Sequence, residues 1–430
     1  MMVVLMNRIF CCYFIILIFS SGCASYTEET KDMRYFFRSG EYSLALEKLK
    51  KTGLEEQNRN RLLAYMEKSM IMDRIGQRTE SRKLLGLARK EIDSLMKGNK
   101  LGDAASFVYN DSASTYEGED YEKVSIHTMM AISFLDDNQY DEARVEAKAI
   151  NTRLHEINSF YKENKNRYAE DAFARYLSGI IYESQGDYDD AIIDYSAALD
   201  IYKKSYVKNF DTAVPDDLLI SLYRLLKQEE RTSKLDVLIK EYPSLPAKLK
   251  KDDKKKGDLV VIHELDTITV KTTQEFIIPW DGKPLRMSFP VIRKRYRSLY
   301  SKTGVQVEKG EFCSGDLVQN MDAIASATLE DKRVRITAKM LGRLVLKDQI
   351  SQQAEKNFGI VGKLGASIYG AVTETADTRS WTLLPAAIYV TRVRLDPGSY
   401  NVTLFTNGKV GHIKTVSIEK GKIKFLRDVH

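Results

Sequence analysis

The stretch Ala174-Arg175-Tyr176-Leu177-Ser178-Gly179-Ile180-Ile181-Tyr182-Glu183-Ser184-Gln185-Gly186-Asp187-Tyr188-Asp189-Asp190-Ala191-Ile192-Ile193-Asp194-Tyr195-Ser196-Ala197-Ala198 decides the fold of the first half of this chain. Its apolar residues recur at helical spacing on both sides of Gly186-Asp187, a dipeptide that punctuates a turn. Small residues at Gly179, Ala191 and Ala198 let two helices cross closely, while Tyr182 and Tyr195 are large enough to fill the space between them. The reading is a helical hairpin, a unit that buries its apolar face only by stacking on copies of itself.

Working outward, looser copies surround this one. Phe37-Arg38-Ser39-Gly40-Glu41-Tyr42-Ser43-Leu44-Ala45 and Phe134-Leu135-Asp136-Asp137-Asn138-Gln139-Tyr140-Asp141-Glu142-Ala143 each carry a turn followed by a small residue. Met72-Asp73-Arg74-Ile75-Gly76-Gln77 and Leu225-Leu226-Lys227-Gln228-Glu229-Glu230 fall where further turns are needed. Four or five hairpins are expected over about 33 to 243, interrupted near 98–123 by a loop rich in Gly, Ser, Asp and Asn. The pattern resembles the tetratricopeptide repeat, which implies a solenoid whose extended groove holds a peptide or protein and which rarely carries catalytic residues. Asn151, Arg153 and Arg175 are polar residues that could line such a groove, although a solvated helix face accounts for them as well.

Proline marks where this region ends. Pro215 alone precedes residue 242, whereas Pro243, Pro246, Pro279, Pro284, Pro290, Pro385 and Pro397 follow it. Helix interiors exclude proline, so the fold expected is α+β in two domains: helical repeats over 23–247, a charged linker over 248–257, and a mixed domain over 258–430. Lys248-Leu249-Lys250-Lys251-Asp252-Asp253-Lys254-Lys255-Lys256-Gly257 reads as a solvated run, with a lipid-headgroup patch as the alternative. Leu259–Ile262, Thr267–Ile278 and Leu285–Phe289 read as strands. Leu317, Met321, Ile324 and Ala325 suggest a helix, as do Ile336, Met340, Leu344 and Leu346. At the end, Asp396-Pro397-Gly398, Asn407-Gly408 and Lys420-Gly421 punctuate an expected antiparallel meander of about four strands.

Two clusters in this half invite a functional reading. Glu374, Asp377, Arg379 and Trp381 form a polar group; paired carboxylates could serve acid/base chemistry, but an ion-pair knot with Trp381 packed beneath is the stronger reading. Gly362, Ala366 and Gly370 stripe the apolar run from Phe358 to Val372, a pattern suited to close helix packing. His127, His155, His263, His412 and His430 show no metal-ligand spacing, and no phosphate loop, dinucleotide fingerprint or nucleophile elbow is present. No enzyme, cofactor or metal site is expected. The net charge of +6 is mild and gives no reason to expect a nucleic-acid partner.

The N-terminus supplies an address. Arg8 precedes an apolar run from Ile9 to Phe19, followed by Ser20-Ser21-Gly22-Cys23-Ala24-Ser25, the order of an export signal over residues 1–22. The apolar run is short of the roughly 20 residues a spanning helix requires. Gly22-Cys23 resembles the lipobox of bacterial lipoproteins, which implies a lipid on Cys23; Ser20 departs from the usual Leu. Ala24, in place of a retention aspartate, implies the outer membrane. Cys11 and Cys12 would leave with the signal, so Cys313 is the one thiol remaining, and a buried, inert role is expected for it.

Lipobox, helical repeats and a following α+β region together resemble a family of bacterial outer-membrane lipoproteins, the likeness being most evident in Glu374-Thr375-Ala376-Asp377-Thr378-Arg379-Ser380-Trp381-Thr382-Leu383-Leu384-Pro385-Ala386 and Asp396-Pro397-Gly398-Ser399-Tyr400. The resemblance implies a periplasm-facing, lipid-anchored scaffold that binds envelope proteins through its repeat groove, in envelope or cell-wall assembly. A structural subunit of an oligomeric export or surface-assembly complex is the alternative, and an envelope-polymer hydrolase a more distant one. The oligomeric state is not legible in the sequence.

Overall fold

In a computed structural model of the chain, the described residues are 25–98, 114–160, 167–248, 256–280, 283–293, 302–308, 310–333, 337 and 376–430. Cys23, Glu374, the stripe of Gly362, Ala366 and Gly370, and the positions Ile336, Met340, Leu344 and Leu346 lie outside them.

Among the described residues, five helical hairpins run through the first half: α1 (Lys31–Arg38) with α2 (Tyr42–Lys51), α3 (Arg61–Ile75) with α4 (Arg78–Gly98), α5 (Asp120–Asp136) with α6 (Tyr140–Phe160), α7 (Ala172–Gln185) with α8 (Tyr188–Ile201), and α9 (Asp216–Gln228) with α10 (Thr232–Glu241). Local chemistry sets their ends. Gly76 and Gly186 stop α3 and α7 at φ +91° and +84°, a left-handed conformation that glycine adopts without strain. Asn138 makes the corresponding turn after α5 at φ +57°. Asp171 caps α7 by accepting the Ala174 N–H at 2.8 Å, and Glu119 and Glu122 form a capping box on α5.

Among the described residues, the second half contains two four-stranded sheets and a separate hairpin. The strands are β1 (Gly257–Thr267), β2 (Lys271–Trp280), β3 (Lys283–Ile292), β4 (Gly304–Val307), β5 (Phe312–Ser314), β6 (Asp316–Asn320), β7 (Pro385–Leu395), β8 (Gly398–Thr406), β9 (Lys409–Ile418) and β10 (Ile423–Val429). The inner sheet has the order β10-β1-β7-β6 and the outer sheet β5-β4-β8-β9, while among the described residues β2 and β3 pair only with each other. Alternation along β1 shows how the layers stack. Val260 and Ile262 join the core shared with the helices, and Leu259 and Val261 join the core shared with the outer sheet. The inner sheet is therefore covered on both faces: helices, inner sheet, outer sheet. A helix over 321–333 follows β6 and buries Met321, Ile324 and Ala325.

Two expectations change in detail. Leu317 belongs to β6, so its apolar character serves a strand and the helix begins four residues later. The closing strands do turn at Asn407-Gly408, both at positive φ, and β8 pairs antiparallel with β9. The last strand, however, leaves that sheet and runs parallel to β1, with Val260 opposite Phe425. A parallel partner has to be reached by a long crossover, so no local turn signal announces it.

Candidate functional site: the helix–sheet seam and an outer cleft

The face presented by the first helix of each hairpin is occupied by the protein's own inner sheet. On the helix side of that sheet Val260, Ile262, Ile388, Val390, Ile423 and Phe425 form an apolar centre. Charged residues rim it. Arg392 on β7 pairs with Glu183 on α7 and Asp258 on β1, both at 2.7 Å, and Arg224 on α9 reaches the same two acids at 2.9 and 3.3 Å. At the other end Arg427 on β10 binds Glu264 on β1 at 2.6 Å and Asp73 on α3 at 2.9 Å, while Arg74 binds Glu264 at 2.7 Å. Burial alone would raise the Glu183 and Glu264 carboxyls, but the guanidinium groups of Arg392 and Arg427 outweigh it and hold both below their ordinary range. Asp258, under the same opposed influences, is held down to about 2.

Of the polar group read from the sequence, the described residues Asp377, Arg379 and Trp381 lie in this seam. Asp377 and Arg379 are paired at 2.7 Å, and Arg379 also donates to Asn60 Oδ1 at 3.0 Å and to the Ser114 carbonyl at 2.9 Å. Its guanidinium lies 5.3 Å from the centre of the Tyr116 ring. Trp381 is fully buried in the shared core, and its backbone N–H donates to Glu122 on α5 at 2.7 Å. Glu67 on α3 receives the next two residues: the Thr382 N–H and hydroxyl at 2.6 and 2.7 Å, and the Leu383 N–H at 3.1 Å, with the Tyr26 hydroxyl at 2.7 Å besides. Burial pushes the Glu67 carboxyl up to about 7, those four donors only partly offsetting the loss of water. The segment 376–384 is thus hydrogen-bonded into the helices as a peptide would be. Asp377 is committed to Arg379, and no histidine or serine base contacts it among the described bonds.

The repeat-packing residues meet as their sizes suggest. Ala191, Tyr195 and Ala198 are fully buried and Gly179 lies flush against the Tyr195 ring, where a Cβ would sit 2.5 Å from Cε1. The Tyr195 hydroxyl donates to Glu183 Oε2 at 2.6 Å, which links the hairpin crossing to the Arg392 ion pairs. Tyr182 is buried with the Arg144 guanidinium 6.0 Å from its ring centre.

An open cleft lies on the opposite side of the helices. It measures about 500 Å³ and runs between α4 and α6, with Arg89, Asp93, Lys97, Thr152, Arg153 and Glu156 on its walls and His127 of α5 at its floor. Arg153 binds Asp93 at 2.5 Å and Glu156 at 2.9 Å; His127 Nδ1 is 2.7 Å from Glu146. Asn151 is not among the residues that line the cleft, and Arg175 is engaged with Asp194 at 2.7 Å, away from it. Cys313 is half-buried on β5.

Sequence reading did not pick out Glu67, Glu122, Glu183, Arg392 or Arg427. The available signal was an acid inside an otherwise apolar helix, as in Ala64-Tyr65-Met66-Glu67, and an arginine within a strand that is apolar around it, as in Tyr389-Val390-Thr391-Arg392-Val393.

No family model matches the chain, and no curated protein matches it. Solved structures that resemble it do so at low identity. The apo form of RapI matches with a TM-score of 0.37 and 15% identity over 56% of this chain and 60% of RapI. Aspartyl phosphate phosphatase F from Bacillus subtilis gives 0.34 and 14% over 52% of this chain and 51% of its own. The nearly identical TPR-like repeats of a putative kinesin light chain from Podosopora anserina give 0.33 and 13% over 52% and 96%. The chain spans little more than half the length of the first two.

Proposed function

We propose that this protein is a non-enzymatic adaptor of the cell envelope, held at the outer membrane by lipid on Cys23 and recruiting a protein partner through the outer face of its helical repeats. The observation that carries the reading is the filled seam. Because segment 376–384 and the inner sheet satisfy Glu67, Glu122 and Glu183, a partner on that face would have to break several buried charged hydrogen bonds, each worth about 1.5–3 kcal/mol. The cleft between α4 and α6 needs no such rearrangement, and its mixed charges suit a polar protein surface. In this reading the sheet rigidifies the repeats, and the second helices do the recruiting.

Photo-crosslinking in intact cells tests it. A crosslinking amino acid at Lys97 or Thr152 is expected to yield a discrete adduct, weakened by Arg89→Glu in the cleft wall; the same probe at Glu308, beyond β4 on the outer sheet, is not. Adducts of equal yield from both surfaces, or none from the cleft, refute the assignment of the face. The anchor is tested separately by fractionation and intact mass: a Cys23→Ala chain that stays with the outer membrane would remove the lipid from the account.

A further inference from the structure

A cavity of about 540 Å³ opens where the helices and the two sheets meet, between the α1–α2 hairpin, the last residues of β1 and β10, and the turn joining β8 to β9. It shares no lining residue with the cleft between α4 and α6. Its size is that of a small-molecule site. Much of the lining is apolar: Phe37, Leu265 and Leu383 are buried, Tyr42 is half-buried, and Val410 is 66% exposed. Phe37 and Tyr42 meet edge-on with ring centres 5.4 Å apart, a contact that steadies both rings.

Most buried polar groups on this lining are already paired. Arg74 binds Asp73 at 2.6 Å and Glu264 at 2.7 Å. Arg38 Nε donates to Thr267 Oγ1 at 2.6 Å, with Asp266 3.9 Å away, and Asp266 accepts the Thr267 N–H at 2.6 Å. Thr406 differs. Val402, Leu404 and Thr406 are the buried alternate residues of β8; the first two fill the core between the sheets, and the same alternation carries Thr406 past its end onto the cavity lining. The residue is only 9% exposed, and its hydroxyl is buried with no hydrogen-bond partner among the described residues. An unpaired buried hydroxyl is costly, so a ligand atom that pairs with it is favoured there. Lys409 lies opposite Thr406 in the β8–β9 register, which sets the two side chains on one face. It also lines the cavity, is exposed, and makes no ion pair among the described residues.

The geometry points to a binding site for an aliphatic monocarboxylic acid, its head held by the Thr406 hydroxyl and the Lys409 ammonium and its chain lying on Phe37, Tyr42, Leu265 and Val410. This goes beyond the adaptor reading and does not depend on it. A carboxylate accepts from both donors at once, and such charge-assisted bonds are the strong ones. One unpaired lysine matches one negative charge, and Asp266 on the same lining disfavours a second. A peptide is the poorer occupant, because its buried N–H and C=O groups need partners and Arg38, Arg74 and Thr267 are already engaged. A hydrocarbon chain needs none.

Photolabelling of the full-length protein with a diazirine-bearing dodecanoic acid, mapped by peptide mass spectrometry, tests this. Label is expected on peptides that contain Tyr42, Leu265 or Val410. Excess dodecanoate should displace it, whereas uncharged methyl dodecanoate should need about tenfold more. Thr406→Val should cut labelling about tenfold, and because it removes an unpaired hydroxyl its unfolding midpoint should equal or exceed that of the wild type. Lys409→Gln, at an exposed position, should weaken labelling while leaving the midpoint unchanged. Label spread away from the cavity, no label, equal displacement by acid and ester, or labelling unchanged in both variants overturns the inference. So does stronger displacement by dodecyl phosphate than by dodecanoate, which would mark a site for a dianion. A midpoint lowered by Thr406→Val would show the hydroxyl already bonded and remove it from the site.

Discussion

Replacing Gly179 by alanine places one methyl group where the structure has no room for it. The Cβ would lie 2.5 Å from Tyr195 Cε1 and closer still to Cδ1. Tyr195 cannot swing away freely, because it is fully buried and its hydroxyl holds Glu183, which in turn holds Arg392 and Arg224. The clash costs about 1–3 kcal/mol and a displaced hydroxyl about 1.5–3, against which alanine's better helix propensity returns about 1, so a net loss of roughly 1.5–5 kcal/mol is expected. Gly86 in α4 is the control: a Cβ there meets nothing within 4 Å, so Gly86→Ala should stabilise by about 0.5–1 kcal/mol. Chemical denaturation followed by circular dichroism reads both. Tyr195→Leu adds a further check, since the double variant with Gly179→Ala should fall short of the summed losses by about 1 kcal/mol or more. Gly179→Ala unfolding at or above the wild-type midpoint would refute the packing argument, as would perfect additivity in the double variant.

Other consequences are testable in the same way. With its folded pKa raised from 4.5 to about 7, Glu67 favours the protonated folded state; its contribution is complete below pH 4.5 and is lost as pH rises through 7, about 3 kcal/mol at 1.36 per unit. Glu67→Gln should remove that slope, so the stability difference between variant and wild type moves in favour of glutamine between pH 5 and pH 8; a constant difference would contradict the assignment. Arg392→Ala strands Glu183 and Asp258 in the seam and should cost about 3–5 kcal/mol, with Arg392→Met costing less, both read as shifts in denaturation midpoint. Arg379→Ala releases Asn60 and the Ser114 carbonyl, so amide exchange at 376–384 should accelerate before exchange in α7 does.

The sequence was informative wherever the deciding contact is local. Gly186 stops a helix because no other residue takes its φ so readily, and the Gly179–Tyr195 crossing is written in the sizes of residues one turn-and-return apart. Pro215 as the sole proline before residue 242 located the helical region correctly. What escaped is long-range. Glu67 is an unremarkable acid until Thr382 and Leu383 arrive 315 and 316 residues later to meet it. The apolar residues of α3, Leu62, Leu63, Ala64, Met66, Met70 and Ile71, cover more than one side of the helix, a sign that it is packed against more than its hairpin partner. The parallel docking of β10 on β1 lacks any such sign, since parallel pairs require neither a turn nor adjacency.

That docking has a consequence in time. Arg427 closes on Asp73 across 354 residues, and β1 gains its parallel neighbour only from the last strand of the chain. The helical hairpins can form as they emerge, but the face that the inner sheet covers stays wet until β10 is made. Folding therefore waits on β10, and contacts at such separation form slowly. Under the export proposed above, a core closed by β10 would keep the chain loose for the crossing and let it close on the far side.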